Sequence, residues 1–356
     1  MVKDSGSQCA ESERVMIQKS LYFAGRRSVD IRETQIAPPG PDQVLVQTLY
    51  SAISAGSELI VYRGFAPQDI PVDETIPGLK GSFTFPMKYG YSTVGKVISI
   101  GKDIPAKWEG RMVFSFHAHE SHFLTDTSAL FPVPEGISPE NALFLPNMET
   151  ALSFLMDGQP MVGEQVIVFG QGIVGLLTTA LLAMYPLTSL ITLDTHTLRR
   201  EYSLRAGAHA CIDPGETDRI PTLLSSSDPR KSSQGADLVY ELTGSPPALN
   251  QAIAVTGLNG RLVIGSWYGT QPVYLNLGGR FHRNRIRLSS SQVSTINPIF
   301  LGRWNRSRRL DTAWKLIKNI QPYCYITQHF PISEASKAYE FLDRHPEESI
   351  QVIFTY

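Results

Sequence analysis

A glycine-rich turn between a short apolar strand and an apolar helix is the feature that most constrains this sequence. The segment VIVFGQGIVGLL spans residues 166–177 and contains the spacing Gly170-x-Gly172-x-x-Gly175. Between a strand and a helix, this spacing is typical of a parallel-sheet unit that binds the pyrophosphate of a dinucleotide. The first glycine permits the tight turn, the second lets the backbone approach the ligand, and the third lets the helix pack closely on the strand.

The residues that follow the turn indicate which dinucleotide is bound. Ile173 and Val174 open the helix, whose free N–H groups and partial positive charge suit phosphates. Asp194 ends the next predicted strand, nineteen residues after the last glycine of the turn. A carboxylate there binds ribose hydroxyls and repels a 2′-phosphate, which favours NAD(H) over NADP(H). Arg199 and Arg200 come next, and they either bind a 2′-phosphate or form a solvated helix face.

Two kinds of secondary-structure pattern divide the chain. From residue 159 to 293, strands and helices alternate, which predicts a parallel sheet covered by helices. Residues 15–160 contain strands separated by Gly and Pro turns, which predicts a compact β-barrel-like domain. Two amphipathic helices (309–319 and 333–345) and a strand (351–356) follow, and their periodicity leaves their placement open.

Composition excludes several classes of protein. The chain has 356 residues, enough for two domains, and its net charge of −1 argues against nucleic acid or an anionic membrane as partner. Residues 1–13 are polar, lack the apolar core of a signal peptide, and are expected to form a disordered tail of a cytoplasmic protein. The cysteines, Cys9, Cys211 and Cys324, are too far apart for a disulfide framework or a cysteine zinc site.

Five segments together resemble the medium-chain dehydrogenase/reductase superfamily, which includes zinc alcohol dehydrogenases and quinone reductases. They are SAISAGSELIVYRG (51–64), MKYGYSTVGKVISIG (87–101), LFLPNMETAL (143–152), GADLVYELTGSP (235–246) and GRLVIGSWYG (260–269). The first two are most similar to the subgroup that contains bacteriochlorophyllide a dehydrogenase. The resemblance implies an α/β fold, with a Rossmann doubly wound parallel sheet inserted in a GroES-like β-barrel catalytic domain.

The resemblance also implies domain boundaries and a dimer. Residues 14–157 would form the catalytic domain, residues 158–296 the Rossmann domain, and residues 297–356 would return to the catalytic domain. Relatives commonly form homodimers through the edge of the cofactor sheet, and we expect the same here.

The zinc ligands of this superfamily have no counterparts in the sequence. When the matching segments are aligned without gaps, the three ligand positions fall on Ala55, Tyr91 and Pro146, and the relay histidine falls on Ile60. A catalytic zinc needs three protein ligands with N, S or O donors. The sequence therefore predicts an enzyme without zinc.

Other groups must then bind the reacting oxygen and its proton. Ser57 falls where zinc members keep a relay hydroxyl. Tyr91 replaces a ligand, so its hydroxyl is predicted to point into the cleft, unless the ring is a packed core aromatic. Glu149 is a third candidate, unless it is only an acid that suits the start of a helix.

The segment SFHAHESHF (115–123) adds three histidines. In a strand, His117 and His119 would share one face and His122 would take the other. Because no third ligand can be placed, a metal is not expected, and a hydrogen-bonded histidine pair is the alternative. His119 is a candidate acid–base group, and His117 and His122 are candidates for substrate contact.

The loops after the later parallel strands should face the cofactor, because ligands bind at the carboxyl ends of such strands. These loops place Thr243, Gly265, Ser266, Trp267 and Ser291 near it, and Trp267 is also a candidate wall of the substrate pocket.

A basic run follows in residues 276–310, which contain no Asp or Glu. Arg binds carboxylates and phosphates in two-pronged fashion. Arg280 and Arg303 are candidates for holding an anionic substrate near the cleft, and ion pairs or a subunit interface are the alternative.

These observations predict an NAD(P)(H)-dependent oxidoreductase that transfers hydride to or from a small or medium organic substrate. A secondary alcohol or ketone in a biosynthetic pathway is the first expectation. Reduction of an activated C=C or C=N bond is an alternative, and a non-catalytic cofactor-binding protein is another.

Overall fold

A computed structural model describes residues 16–72, 81–224 and 235–356. The tail predicted for residues 1–13 lies outside the described residues. The elements before the glycine turn are β1 (Met16–Gly25), β2 (Ser28–Ile36), β3 (Gln43–Ala52), α1 (Ala55–Tyr62), β4 (Thr93–Ile100), β5 (Met112–Ser115), β6 (His122–Asp126), β7 (Leu130–Pro132), α2 (Pro139–Ala142) and α3 (Leu145–Gly158).

Strand and helix then alternate, as the sequence predicts. The elements are β8 (Gln165–Phe169), α4 (Ile173–Leu182), β9 (Ser189–Leu193), α5 (Thr197–Arg205), β10 (Ala210–Ile212), α6 (Ile220–Leu223), β11 (Ala236–Glu241), α7 (Pro246–Val255), β12 (Thr256–Ile264) and β13 (Arg287–Ser290). The six strands form one parallel sheet in the order β10-β9-β8-β11-β12-β13. The order reverses between β8 and β11, and ligands of doubly wound sheets bind at such a switch point.

The remaining elements join the first part of the chain. They are α8 (Arg306–Ile320), β14 (Ile326–Pro331), α9 (Ala335–Arg344) and β15 (Gln351–Thr355). A second sheet has the order β14-β15-β3-β4-β5-β7, with β6 paired to β3. Helix α8 packs on α3, with Trp314 and Ile317 in the same core as β8 and β11. These observations show the expected fold class: a Rossmann sheet combined with a GroES-like domain.

Two segments differ from the sequence expectation. Residues 15–160 were expected to be strands with turns, but α1 interrupts them at residues 55–62. The histidine segment 115–123 is not one continuous strand, because residues 116–121 separate β5 from β6. Among the residues that the structure describes, no helix has the length and apolar character to cross a membrane.

Candidate active site

The glycine turn adopts the conformation that dinucleotide binding requires. Gly170 has φ = +90°, and a side chain there would meet the Leu242 carbonyl oxygen at 2.8 Å. A Cβ on Gly175 would lie 2.0 Å from the Gly170 carbonyl oxygen. Nothing lies within 4 Å of the equivalent point at Gly172, which begins the turn of α4 that contains Ile173. Gly170 and Gly175 are therefore required by close contacts within the turn itself. Gly172 faces open space, which fits a bound pyrophosphate.

Asp194 lies beside this turn, at the carboxyl end of β9. Its Oδ2 accepts a hydrogen bond from the backbone N–H of Gln171 at 2.7 Å, and its Oδ1 accepts one from His196 at 2.9 Å. An ionised carboxylate has about four acceptor sites. Two of them remain for ribose hydroxyls, so the position fits the adenosine half of a dinucleotide.

Arg199 and Arg200 are already held by carbonyl groups. Arg199 donates to the Pro346 and Ser349 carbonyls, and its Nη1 lies 4.0 Å from Asp194 Oδ2. Arg200 donates to the Asp194 carbonyl and pairs with the carboxylate of Asp213, the residue after β10. Arg199 therefore connects the ribose end of the cofactor site to the segment just before β15.

The loops after β11 and β12 are tied together at the carboxyl edge of the parallel sheet. Glu241 is buried, and its Oε1 accepts the backbone N–H of Thr243 at 2.7 Å. Its Oε2 accepts the hydroxyl of Tyr268 at 2.6 Å. The backbone N–H of Gly244 donates to Ser266 Oγ at 2.8 Å. We did not anticipate Glu241 from the sequence, although an acid at the end of the apolar strand ADLVYE was the signal for it.

Gly265 and Ser291 lie at the same edge. A Cβ on Gly265 would lie 2.3 Å from the Phe154 ring, so the backbone passes directly over α3. Ser291 donates to Asp157 Oδ2 at 2.5 Å. These contacts anchor the loops after β12 and β13 on α3.

The hydroxyl groups of Tyr91 and Ser57, both candidates for binding the reacting oxygen, are in hydrogen-bond contact. The Tyr91 hydroxyl lies 2.5 Å from Ser54 Oγ and donates to Ser57 Oγ at 3.1 Å. Ser54 is the residue before α1, and Ser57 lies in its first turn. Helix α1, which the sequence pattern did not predict, therefore positions both serine hydroxyls around Tyr91.

Aromatic rings connect Tyr91 to the cofactor edge. The Tyr89 ring lies 6.0 Å from Tyr91 and 5.9 Å from Phe83, and Phe83 lies 5.5 Å from Trp267. Trp267 belongs to the loop after β12, and in the same loop the backbone N–H of Thr270 donates to the Phe65 carbonyl at 2.9 Å. The Phe83 and Tyr89 rings therefore connect the hydroxyl cluster to Trp267 in the loop after β12, at the cofactor edge.

His119 lies beneath this cluster and is fully buried. Its Nε2 lies 3.0 Å from Glu58 Oε2, and its Nδ1 lies 2.7 Å from Ser51 Oγ. Glu58 is also fully buried. His119 is therefore close to the site but separated from the cleft by other residues.

Relatives of this chain are dehydrogenases. A sequence profile of the family described as Zinc-binding dehydrogenase matches residues 174–310. The D-guloside 3-dehydrogenase of Escherichia coli (strain K12) is 26% identical over 337 residues, covering 88% of this chain and 93% of that protein. The (R,R)-butanediol dehydrogenase of Bacillus subtilis (strain 168) is 26% identical over 305 residues, covering 78% and 84%.

Solved structures share the fold. An alcohol dehydrogenase from Escherichia coli CFT073, described as short-chain and solved with NADH, has a TM-score of 0.75 at 17% identity, covering 96% of this chain and 99% of that one. The 2R,3R-butanediol dehydrogenase of Bacillus subtilis has a TM-score of 0.74 at 18% identity, covering 95% and 99%.

Residues 174–310 thus match the Zinc-binding dehydrogenase family model, and most of the chain is similar to named dehydrogenases. This chain is accordingly an NAD(P)-dependent oxidoreductase.

The zinc site of the family does not fit the residues found here. Ala55 and Pro146 have no donor atom in their side chains, and the Tyr91 hydroxyl is hydrogen-bonded to two serines. Over residues 16–72, 81–224 and 235–356, the one group of three metal-capable side chains that converges is the exposed set around His345. The three aligned positions, Ala55, Tyr91 and Pro146, lack the donor set that a catalytic zinc requires.

The histidines do not share the faces of a strand, and that expectation was wrong. Because residues 116–121 are not a strand, the three side chains take separate positions. His117 stacks on Phe123 at 3.9 Å and lies 2.6 Å from Glu120 Oε2. His122 begins β6, opposite Gln47 of β3, and burial lowers its pKa.

Glu120 is the centre of a second buried cluster. Burial by itself raises its pKa, but hydrogen bonds from His117, Lys88 and Ser20 outweigh that effect and lower the pKa to about 2. Glu120 is therefore ionised across the physiological range and holds His117 in the cluster.

Glu149 is committed to an ion pair. Its Oε1 accepts from Arg309 Nη2 at 2.8 Å and Nε at 3.1 Å. Burial raises the pKa of Glu149, and the nearby Arg309 opposes that shift. Arg309 also donates to the Val293 and Thr295 carbonyls. The geometry therefore gives Glu149 a structural partner in place of the predicted position facing substrate.

The two candidate arginines are not together. Arg280 donates to the carbonyl of Thr256, the first residue of β12, which lies at the amino edge of the sheet. The cofactor edge is at the other end of that strand, so the prediction that Arg280 lies near the cleft was wrong. Arg303 lies in an exposed turn before α8.

Proposed function

We propose that this chain is a zinc-independent dehydrogenase that interconverts a secondary alcohol and a ketone, with Tyr91 bound to the reacting oxygen. The observation that carries the proposal is the hydroxyl cluster. Tyr91 Oη lies 2.5 Å from Ser54 Oγ and 3.1 Å from Ser57 Oγ. The sequence resemblance implies that Tyr91 takes the position of a metal ligand in zinc dehydrogenases.

The chemistry requires one proton transfer for each hydride transfer. When bound, the nicotinamide supplies or accepts the hydride at the substrate carbon. For ketone reduction, Tyr91 donates its hydroxyl proton to the carbonyl oxygen. Ser54 is hydrogen-bonded to Tyr91 Oη, and the Ser57 hydroxyl, which accepts from Tyr91 in this structure, turns to donate once the proton has left, so that both serines stabilise the negative charge on Tyr91 Oη. In alcohol oxidation the same groups receive the proton.

The substrate we propose is a neutral polyol or glycoside. The relatives named above act on D-gulosides and (R,R)-butanediol, according to their names. Tyr91 and Trp267 are partly buried aromatic residues that pack against one hydrophobic core, and their remaining surface is uncharged. Arg280, the candidate for an anionic group, lies at the opposite edge of the sheet.

NAD(H) is the proposed cofactor in preference to NADP(H). Asp194 would repel a 2′-phosphate. The guanidinium groups of Arg199 and Arg200 already donate to carbonyls. We expect kcat/KM to be at least tenfold higher with NADH than with NADPH, and Asp194→Ser to reduce that ratio.

A substrate panel with a matched pair of variants tests the proposal. The purified enzyme is assayed with a methyl D-guloside, (R,R)-2,3-butanediol and L-threonine plus NAD⁺. We expect Tyr91→Phe to lower kcat by about 100-fold with the best substrate. Tyr325→Phe, which changes a buried tyrosine outside the cleft, should keep kcat within about threefold.

Metal analysis of the same preparation tests the zinc-free mechanism. Activity should survive dialysis against EDTA, with zinc far below one ion per chain. Stoichiometric zinc whose removal abolishes turnover would contradict the proposal. Turnover of a conjugated enone but of no alcohol would favour the alternative reaction, reduction of a C=C bond.

A homodimer is proposed through β13. This strand is the edge of the parallel sheet, and all four of its residues are exposed. Exposed apolar side chains follow it, including Ile299 and Leu301. An unpaired sheet edge is a template for strand pairing. Sedimentation should give a dimer, and Leu288→Lys should shift it toward monomer.

A further inference from the structure

We infer that the buried pair Glu58–His119 is a positioning device for the Tyr91 hydroxyl. The inference rests on the proposed function of Tyr91 and assigns a purpose to two residues that do not touch the cleft. Both side chains are fully buried, and Glu58 Oε2 lies 3.0 Å from His119 Nε2. Buried polar groups of this kind persist only when each partner is satisfied, so their contacts fix their positions.

The Glu58 end of the pair holds the hydroxyl side of Tyr91. Glu58 Oε1 accepts the backbone N–H of Ser54 at 2.7 Å. The Oγ of the same serine lies 2.5 Å from Tyr91 Oη. A shift of the carboxylate would therefore move the residue that is hydrogen-bonded to the proposed proton donor.

The His119 end holds the backbone side of Tyr91. Gly90, the preceding residue, has φ = +117°. A Cβ on Gly90 would lie 2.6 Å from His119 Nε2, so the imidazole lies directly against the main chain there. The imidazole therefore packs against the backbone at Gly90 and fixes the position of the peptide that precedes Tyr91.

Further contacts fix the pair itself. Glu58 Oε2 also accepts the hydroxyl of Tyr339. Because a carboxylate only accepts, His119 Nε2 must carry the proton that it shares with Glu58. His119 Nδ1 then bonds Ser51 Oγ at 2.7 Å, and Ser51 Oγ lies 2.7 Å from Tyr356 Oη. The imidazole has a partner on each nitrogen and cannot rotate without losing both.

Both ends of Tyr91 thus depend on one buried pair. A displacement of a reacting group by about 1 Å costs on the order of 100-fold in rate. Loosening Glu58 or His119 should therefore lower kcat while leaving cofactor binding unchanged, because the cofactor edge is formed by other loops.

A matched pair of substitutions tests this. Glu58→Asp keeps the charge but withdraws the carboxylate by one methylene. Glu164→Asp is the control, because Glu164 is also a buried carboxylate that accepts a backbone N–H and pairs with an arginine, at the amino edge of the parallel sheet. We expect Glu58→Asp to lower kcat about 10- to 100-fold with the KM for NAD⁺ unchanged. Glu164→Asp should leave kcat within about twofold.

A second measurement needs no substrate. With 3-fluorotyrosine in place of Tyr91, the ¹⁹F spectrum should show one narrow resonance in the otherwise native protein. Glu58→Asp and His119→Ala should each shift or broaden it, whereas Glu164→Asp should not. If either variant of the pair leaves the resonance unchanged while remaining folded, the inference is wrong.

The two proposals fail in different ways. If Tyr91→Phe keeps full kcat, the proposed function fails, whatever the ¹⁹F result. If Tyr91→Phe lowers kcat but Glu58→Asp and His119→Ala do not, the positioning inference fails alone. In the Tyr91→Phe background, Glu58→Asp should add less than about twofold, because groups acting as one unit are not additive. Independent, multiplicative losses would overturn the inference.

Discussion

Arg309 and Glu149 join two helices that stand on either side of the cofactor-binding segment in sequence. The Nη2 of Arg309 lies 2.8 Å from Oε1 of Glu149, and the two side chains are only 2% and 4% exposed. Arg309 begins the second turn of α8, Glu149 lies in α3, and the guanidinium also holds two carbonyls of the loop after β13. The pair thus connects α3 and α8 to the loop after β13, at the carboxyl edge of the parallel sheet.

Removing one member of this pair should be costly for stability. Glu149→Gln leaves a buried guanidinium without its counter-charge, which costs about 3 to 5 kcal/mol. We expect a loss of that order in the free energy of unfolding, measured by urea denaturation. Glu340→Gln breaks an exposed pair with Arg344 and should cost less than about 1 kcal/mol. Equal losses from the two variants would contradict the assignment.

The pH dependence of stability should depend on Glu120. Its pKa of about 2 in the folded protein is below the ordinary value of 4.5. A lowered pKa gives stability that is fully present above pH 4.5 and is lost as the pH falls toward 2, worth about 3 kcal/mol. Glu120→Gln should lower the free energy of unfolding at pH 7. It should also weaken the decrease of that free energy between pH 4.5 and pH 2.

The control for this experiment is Glu33→Gln, since Glu33 is an exposed partner of Lys19. In that variant the free energy of unfolding should fall with acid as it does in the native protein. The same fall in Glu120→Gln would show that other carboxyl groups determine the acid sensitivity.

Alanine substitutions at Gly172 and Gly175 should have different effects on stability and on cofactor binding. Gly172→Ala places a methyl group in open space at an ordinary backbone conformation, so the melting temperature should stay within about 2 °C. NADH binding, measured by fluorescence, should weaken at least tenfold, because the methyl group occupies the path of the pyrophosphate.

Gly175→Ala should act differently, because its Cβ would lie 2.0 Å from the Gly170 carbonyl oxygen. We expect a clear loss of melting temperature together with weaker NADH binding. If Gly172→Ala lowered stability as much as Gly175→Ala, the space at Gly172 would not be a ligand path.

Local patterns made the fold predictable. The glycine spacing and the alternation of strand and helix report on neighbouring residues, and they predicted the parallel sheet and the turn geometry. Helix α1 was missed because its eight residues include Ile60 and Val61, which favour strands. Its register depends on Glu58, whose partner His119 is 61 residues away.

The contacts of the candidate site could not be predicted from neighbours in sequence. Tyr91 and Ser57 were proposed from their positions in segments that resemble the superfamily, and their hydrogen bond joins residues 34 positions apart. The histidine cluster misled because residues 116–121 have no repeating backbone, so adjacent side chains diverge. The ion pair that holds Glu149 is formed with Arg309, 160 residues away. No local sequence pattern predicts that contact.

The position of β15 has a consequence for how the site is made. This strand pairs with β3 on one side and β14 on the other, and the adjoining Tyr356 hydrogen-bonds to Ser51. On the ribosome, the whole parallel sheet emerges before β15 does, and domains fold as they emerge. The sheet that contains β3 and β4 therefore becomes complete only after every strand of the parallel sheet has been synthesised.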